Sequence, residues 1–326
     1  METLCIIYFM NNINLTKKCA IIIPTMNKSS FIEDKLYYFN QINYKGTIHI
    51  ADSSDNYHFD KSANYINYFS LLGLKIIHHD TKGLNIEESK YLAVKNVAES
   101  YCQYCGDDDY ILIDGLTKGI LFLEKNIIYN TMTGNAITVN LSEWKNNSFS
   151  KYNLHGSEIV DLVNRLEIYS NNYWPIWVLH RTKNYLKMLE ETINYKTPHF
   201  REIFMGLKTL SQGLCKKIYY PYLIRGIHDN RFHFEELKNI NLTPDFIKDK
   251  NLLEIFLRYE INSSNKDLLI HKIIEKFISP GKKITIPMIN RKITLLNKID
   301  RYFFYYNFTK NKYYKIARKL YLIKNL

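Results

Sequence analysis

The first half of the chain alternates between short apolar runs and segments with helical spacing of apolar residues. Four runs predict buried strands of the parallel type, at residues 20–24, 47–51, 75–78 and 103–105. Helical patterns follow the first and third of these runs. Strands that alternate with helices predict an α/β fold with a Rossmann-like, mainly parallel sheet flanked by helices.

Two of these helices begin with capping signals. Ser30 followed by Glu33 matches a capping box, in which each side chain bonds the backbone N–H of the other residue. Asn85 and Glu88 have the same spacing before the next helix. We therefore expect both helices to begin at these residues.

The pattern is less regular after residue 115. Helices are predicted at residues 116–123, 154–169, 183–191 and 200–214, and strands at residues 136–141 and 218–223. The character of the chain changes near Phe234, after which helical patterns cover residues 266–278, 291–306 and 311–323. We predict two regions, a nucleotide-binding domain at residues 18–232 and a basic, mainly helical C-terminal region at residues 233–326.

Composition excludes some locations. The chain has 326 residues, of which 46% are hydrophobic, enough for a sizeable core. It has no apolar run of about 18 residues, which disfavours a transmembrane helix. Its apolar start lacks the basic segment and cleavage site of a signal peptide. The five cysteines are scattered, and the pair Cys102 and Cys105 has no second pair at zinc spacing, so we expect structural cysteines in a reducing cytoplasm.

The positive charge is concentrated at the C-terminus. Residues 266–326 hold 15 of the 44 basic residues and 3 of the 32 acidic ones, which leaves 29 of each in the rest of the chain. This neutral body with a basic segment has three interpretations. The segment binds an anionic membrane surface on the inner face of the cell membrane, binds nucleic acid, or packs on the body as a helical cap.

Acidic residues follow three of the predicted strands. Asp52 ends the second strand, Asp80 ends the third, and residues 107–109 (Asp-Asp-Asp) follow the fourth. The carboxyl ends of parallel strands lie along one edge of the sheet, where ligands bind. In an extended segment Asp107 and Asp109 point to the same side. The pattern therefore predicts an Asp-x-Asp clamp for Mn²⁺ or Mg²⁺ and a nucleotide diphosphate.

Residues 21–28, 50–54 and 107–110 together resemble glycosyltransferases of the GT-A fold, close to the inverting, family-2-like enzymes, with a nearest match among bacterial and archaeal glycosyltransferase-like proteins. Weaker support comes from residues 180–182 and 200–203. The resemblance covers about residues 18–232. It implies a nucleotide-sugar donor, with a UDP-sugar favoured, a divalent metal ion, and a glycan or lipid-linked glycan as acceptor in the synthesis of a bacterial surface glycan.

The resemblance also implies roles for individual positions. The nucleotide sugar would be bound by Pro24, Thr25, Asn27, Asp52, Ser53, Lys90, Asp107 and Asp108. The metal ion would be held by Asp109, with Asp107 and a loop histidine, His228. Glu202 would be the catalytic base, although this chain has Arg-Glu where the family commonly has Glu-Asp, and Glu190 and Glu191 are competitors.

The sequence leaves the roles of three further residues open. Arg225 lies in a polar stretch and is a candidate for binding the diphosphate. Trp174 and Trp177 are either core residues or a stacking surface for the acceptor sugar.

The reaction expected from these residues is a single displacement that inverts the anomeric carbon. Two alternatives differ from it in class. A nucleotidyltransferase would need a glycine-rich phosphate loop after the first strand, and residues 24–30 contain no glycine. An RNA-binding protein would use the basic segment but would leave the acidic strand ends unexplained, which disfavours nucleic acid as a partner.

Overall fold

The fold is taken from a computed structural model that describes residues 14–141, 149–169, 177–227, 243–278 and 304–324. Its strands are β1 Cys19–Thr25, β2 Thr47–Asp52, β3 Lys75–Asp80, β4 Tyr101–Tyr104, β5 Tyr110–Ile111, β6 Tyr129–Asn140, β7 Phe149–Tyr152, β8 Leu179–Arg181 and β9 Leu214–Ile227. Its helices are α1 Ser29–Gln41, α2 Asn56–Leu71, α3 Ile86–Val94, α4 Ile113–Lys125, α5 Leu162–Tyr169, α6 Thr182–Thr192, α7 Pro198–Ser211, α8 Pro244–Glu260, α9 Lys266–Ile278 and α10 Lys312–Lys324. Residues 304–310 are also helical.

The described strands form one nine-stranded sheet. Its order is β3-β2-β1-β4-β8-β6-β9-β5, and β7 pairs with β6. The first four strands are parallel to one another, as are β6 and β9, whereas β8 runs antiparallel between β4 and β6. The predicted α/β fold with a mainly parallel, helix-covered sheet is confirmed.

Of the two predicted capping boxes, the one at Asn85 is confirmed and the one at Ser30 is wrong. The side chain of Asn85 accepts hydrogen bonds from the backbone N–H groups of Glu87 and Glu88, and Glu88 accepts one from Asn85, so α3 has its capping box. Helix α1 instead begins at Ser29, with Lys28 as an N-cap that makes no side-chain bond. The positive φ of Asn27, 55°, reverses the chain before Lys28, so the helix starts one residue earlier than Ser30.

Other predicted boundaries also shift. The helix expected at residues 154–169 begins only at Leu162, because Ser157 instead pairs with Cys215 of β9. The helix expected at residues 200–214 ends at Ser211, because Gly213 has a φ of 152° and β9 starts directly after it. Helix α2 was not predicted, and most of the helix expected at residues 291–306 lies outside the described residues.

The core lies on both faces of the sheet and reaches into the C-terminal region. One cluster of buried side chains covers β1, β2, α1 and α4 and includes Phe308 and Tyr313. A second cluster joins α7 to α8 and α9. Residues 304–324 therefore pack on the body, as the helical-cap interpretation expects. The predicted division after residue 232 falls in residues 228–242, outside the described residues. Among the described residues, no helix has both the length and the apolar character that crossing a membrane requires.

Candidate functional site

The carboxyl ends of the first four strands bring the predicted acidic residues to one edge of the sheet. In the register of the parallel strands, Thr25 lies opposite Asp52 and Asp52 lies opposite Asp80. The backbone N–H of Cys105 donates to the carbonyl of Ile22, which places the start of residues 106–109 beside the end of β1. The three acidic segments thus meet as the sequence predicts.

Residues 106–109 form a tight turn. The N–H of Asp109 donates to the carbonyl of Gly106 at 3.1 Å. The premise of an extended segment is therefore wrong here, because this turn reverses the chain between β4 and β5. Within the turn, Asp107 and Asp109 are buried and Asp108 is half-buried. We call residues 106–109 the Asp turn.

Asp107 is bound from the loop after β1. The hydroxyl of Thr25 donates to Oδ2 at 3.0 Å, and Nζ of Lys28 donates to Oδ1 at 3.3 Å. Burial raises the pKa of Asp107, which Lys28 partly opposes. The carboxylate is therefore held close to the end of β1, with one cationic partner.

Asp109 is bound from the other half of the sheet. The indole N–H of Trp177 donates to Oδ2 at 2.7 Å, and the backbone N–H of Gly226 donates to Oδ1 at 3.1 Å. Burial and the charge of Asp108 raise the pKa of Asp109 to about 7, although Lys35 and Arg225 act to lower it. Asp109 therefore ties the Asp turn to β9 and to the segment before β8.

Gly226 fits closely against the Asp turn. A Cβ atom at this position would lie 2.3 Å from the carbonyl oxygen of Asp108, nearer than any side chain can approach. Sequence reasoning did not find this residue. Its only signal was a glycine directly after the candidate Arg225 near the end of an apolar run.

Arg225 lies against two neighbouring aromatic rings that are nearly perpendicular to each other. Its guanidinium carbon is 4.8 Å from the ring centroid of Tyr152 and 4.8 Å from that of Trp177. Trp177 is only 9% exposed, so it is a core residue that also binds Asp109 and contacts Arg225. Tyr152 was not singled out from the sequence. Cation–π contacts with these two rings therefore fix the position of the guanidinium.

Asp52 is buried at the end of β2 with both oxygens bonded. Oδ1 accepts from the backbone N–H of Ser54 at 3.0 Å, and Oδ2 lies 3.1 Å from Nε2 of His78. Burial acts to raise the pKa of Asp52, but the hydrogen bonds from His78 and Ser54 outweigh it and lower this pKa. The ring of Phe59 stacks on His78 with centroids 4.3 Å apart. Asp52 is therefore a fixed, ionised acceptor.

Ser53 and Asn27 hold the surrounding loops together. The hydroxyl of Ser53 lies 2.9 Å from those of Thr81 and Ser89. The backbone N–H of Asn27 donates to the Ser54 hydroxyl at 2.7 Å, and its side-chain oxygen accepts from the N–H of Asp55 at 2.8 Å. These hydrogen bonds hold the loops after β1, β2 and β3 in place at this edge of the sheet.

Pro24 and Lys90 flank the same edge. Pro24 is buried in β1, opposite Ala51. Lys90 is buried on α3, with Nζ 3.4 Å from Glu87 and 5.0 Å from the ring centroid of Tyr104. Its ammonium thus has a partner within the protein beside the strand that leads into the Asp turn.

Glu202 lies near the start of α7 and is half-buried. Its neighbour Arg201 pairs with Glu87 at 3.4 Å, so a chain of contacts leads from α7 through Glu87 and Lys90 to the end of β4. The competing Glu191 is paired with Lys208 at 2.8 Å. His228 and Trp174 lie outside the described residues.

The Asp turn is compatible with a divalent cation. The described residues hold no group of three or more His, Cys, Asp or Glu side chains arranged for a metal ion. Mg²⁺ and Mn²⁺ usually take only one or two carboxylates and complete their shell with water and substrate phosphates. Burial and the neighbouring Asp108 raise the pKa values of Asp107 and Asp109, so a bound cation would stabilise the ionised form of both carboxylates. Residues of this type and charge fit such an ion.

The fold is similar to that of TarS from S. aureus. Residues 1–349 of TarS in complex with UDP-GlcNAc superpose with a TM-score of 0.59 at 14% identity, over 94% of this chain and 91% of that one. The complex of the same TarS residues with UDP superposes with a TM-score of 0.56 at 13% identity, again over 94% of this chain and 91% of that one. A longer TarS chain superposes with a TM-score of 0.57 at 14% identity, over 86% of this chain and 46% of that one. This chain therefore spans about half the length of the longer TarS chain. No protein-family model matches this chain, and no curated protein sequence does either.

Proposed function

We propose that this protein is a glycosyltransferase that moves a sugar from a nucleotide diphosphate to a hydroxyl group of an acceptor. The observation that supports this most is the Asp turn, joined to the end of β1 through Asp107 and to Trp177 and β9 through Asp109, beside the buried acceptor Asp52. The similar fold of TarS, which binds UDP-GlcNAc and UDP, adds to it.

The nucleotide would lie along the ends of β1 and β2. Asp52 would shape this pocket from within the protein, because its side chain is fully buried and its two oxygens hold His78 and the backbone N–H of Ser54 in place. Thr25 and Asp107 would face the ribose. Because Asn27 and Ser53 already bond the loops around Asp52, their role is to hold this pocket in shape.

The diphosphate would lie at the Asp turn. Lys28 approaches it from the β1 side and Arg225 from the β9 side, so two cations flank the place where leaving-group charge develops. Asp109 and Asp107, with His228, are the candidate ligands of Mn²⁺ or Mg²⁺, which would supply Lewis-acid stabilisation of that charge, and Asp108 would contact the nucleotide sugar. Lys90, paired with Glu87, would support this side from the sheet.

The transfer step would be an in-line displacement. The acceptor oxygen forms a bond to the anomeric carbon as the bond to the diphosphate oxygen breaks, and the acceptor proton passes to a carboxylate. We assign that carboxylate to Glu202. Glu191, which is paired with Lys208, is the competing candidate. We further propose a UDP-sugar as donor and a surface glycan or its lipid-linked precursor as acceptor.

A thermal-shift panel tests the donor class. The wild-type protein is heated with UDP, GDP, CDP or ADP, each with and without MnCl₂. A ligand that binds only the folded state at 100 times its dissociation constant stabilises it by about 2.7 kcal/mol. We expect stabilisation by UDP that increases with Mn²⁺. No stabilisation by any nucleotide in either condition would contradict the proposal.

A transfer assay tests the residue roles. Asp109→Ala and Glu202→Gln are each expected to abolish transfer to acceptor. Glu202→Gln should retain UDP binding, because the base acts only on the acceptor. Glu190→Gln, at the exposed competing position on the neighbouring helix, should remain active, and a loss of transfer in this variant would move the base to Glu190. Full activity of Glu202→Gln would remove it as the base, and full activity of both variants would contradict the mechanism.

A further inference from the structure

Strand β7 has different neighbours on its two faces. It pairs antiparallel with β6, with Ala136 opposite Tyr152 and Val139 opposite Phe149. Because successive side chains of a strand point to opposite faces, Tyr152 lies on one face while Phe149 and Lys151 lie on the other.

The Tyr152 face belongs to the candidate site. The Tyr152 ring meets the Trp177 ring edge-on, with centroids 5.6 Å apart, and it covers the Arg225 guanidinium at 4.8 Å. Trp177 in turn donates to Asp109. The position of β7 therefore helps to set the position of Arg225.

The opposite face of β7 packs on the C-terminal helices. The Phe149 ring lies 5.0 Å from that of Tyr305 and 6.1 Å from that of Tyr314. Nζ of Lys151 lies 5.0 Å from the ring centroid of Phe304. Tyr314 is buried, as are Phe308 and Tyr313 beside it, and α10 contacts α1 of the body.

We infer that the C-terminal helices at residues 304–324 are a positioning element of the site, which acts through β7 to hold Arg225 against Tyr152 and Trp177. Phe149 is the key positioning residue of this link, since its ring joins the helices to the strand. The inference rests on the proposed function only in assigning Arg225 to the diphosphate. It gives the basic C-terminal segment a role at the site that does not require a membrane or nucleic acid.

The first test is a double-mutant cycle on UDP affinity, measured by calorimetry on the full chain with MnCl₂. Phe149→Leu keeps an apolar side chain but removes the ring contacts, and we expect it to weaken UDP binding about five-fold. Tyr314→Leu, on the helix side of the same contact, should produce a similar loss. In the Arg225→Gln background, Phe149→Leu should cause no further loss, because its effect passes through Arg225.

Phe122→Leu is the matched control. Phe122 makes the same kind of edge-on contact, with Tyr129 at 4.8 Å, but it lies on α4. It should leave UDP affinity within two-fold of the wild type. An equal loss in Phe122→Leu and Phe149→Leu, or losses that multiply in the Arg225→Gln background, would overturn the inference.

A second readout needs no nucleotide. In a chain whose other tryptophans are replaced, Trp144→Phe and Trp174→Phe, the emission of Trp177 reports its surroundings. Phe149→Leu should shift this emission to longer wavelength as β7 loosens and water reaches the indole, and Phe122→Leu should not. An unchanged spectrum in Phe149→Leu overturns the inference even if UDP binds. Absence of UDP binding in the wild type, together with the shift, would contradict the proposed function and leave the inference standing.

Discussion

The indole nitrogen of Trp177 donates a hydrogen bond to Oδ2 of Asp109 across 2.7 Å, although the two residues are 68 positions apart. The second oxygen of Asp109 accepts from the backbone of Gly226. One buried carboxylate thereby connects the Asp turn to two distant segments. The predictions for the site follow from this arrangement.

Replacement of Trp177 by Phe is expected to destabilise the protein by about 1–3 kcal/mol, because a buried carboxylate oxygen loses its donor. The pKa of Asp109, already raised, should rise further, so the variant should bind UDP best at higher pH than the wild type. Urea unfolding and a pH series of UDP binding measure these effects. Tyr129→Phe, which removes a donor to the exposed carboxylate of Glu158, is the control and should change neither quantity by much.

Replacement of Gly226 by Ala should weaken UDP binding at least ten-fold. The added methyl group would lie 2.3 Å from the Asp108 carbonyl, so the Asp turn must move away from β9. Gly73→Ala is the comparison, because its φ of 97° makes an alanine strained while nothing lies within 4 Å of the new Cβ. It should lower the melting temperature yet leave UDP affinity unchanged. Equal binding losses in the two variants would show that general destabilisation is the cause.

Replacement of Asp249 by Ala tests how the C-terminal region supports α7. Both oxygens of Asp249 accept from the N–H of Lys196 at 3.0 Å, and Oδ2 also accepts from the N–H and hydroxyl of Thr197, at 2.7 and 2.8 Å. These groups immediately precede α7, which carries Glu202. We expect a loss of about 2–3 kcal/mol in the free energy of unfolding, because the hydrogen bonds to this buried carboxylate are lost. Asp245→Ala, at an exposed position on the same helix, should cost less than about 1 kcal/mol.

The buried histidine His49 should make stability depend on pH. Burial and the neighbouring His79 lower the pKa of His49 to about 4, from 6.5 in the unfolded chain. The unfolded state therefore binds more protons below pH 6.5, so this contribution is complete above pH 6.5 and is lost as the pH falls towards 4. At pH 5 the loss is about 2 kcal/mol.

The His49 contribution is measured as a difference, because the raised pKa of Asp109 acts in the opposite direction over part of this range. Relative to the wild type, His49→Gln should gain about 2 kcal/mol of unfolding free energy between pH 7.5 and pH 5. His271→Gln, at an exposed position, should show little change. A His49→Gln difference that is the same at both pH values would contradict the prediction.

The elements near the start of the chain could be predicted because their signals are local. Continuous apolar runs indicated β1 to β4, and the Asn85 and Glu88 spacing indicated the start of α3. The start of α1 could not be predicted, because it depends on the left-handed backbone of Asn27 and on its bonds to the loop after β2. Ser157 likewise became a partner of Cys215 rather than part of a helix.

In the candidate site, too, the sequence predicts what depends on local patterns and misses what depends on contacts between distant residues. The meeting of Asp52 with the Asp turn follows from parallel topology, which the alternation of strands and helices predicts. The partners of Asp109 do not follow from it, because Trp177 and Gly226 reach the Asp turn through β8 and β9, whose pairing depends on contacts distant in sequence. Tyr152 was missed for the same reason.

The hydrogen bond from Gly226 to Asp109 spans 117 residues, which has a consequence for how the protein folds. Contacts between distant residues form late, because the intervening chain must first be ordered. The sheet of β1 to β4 contains mostly closer pairings and can form before β9 arrives. The Asp turn would therefore acquire its final geometry only when β9 docks, and a partial opening of β9 would distort the site while strands β1 to β4 stay folded. In native-state hydrogen exchange, the amide of Gly226 should accordingly exchange sooner than those of β1.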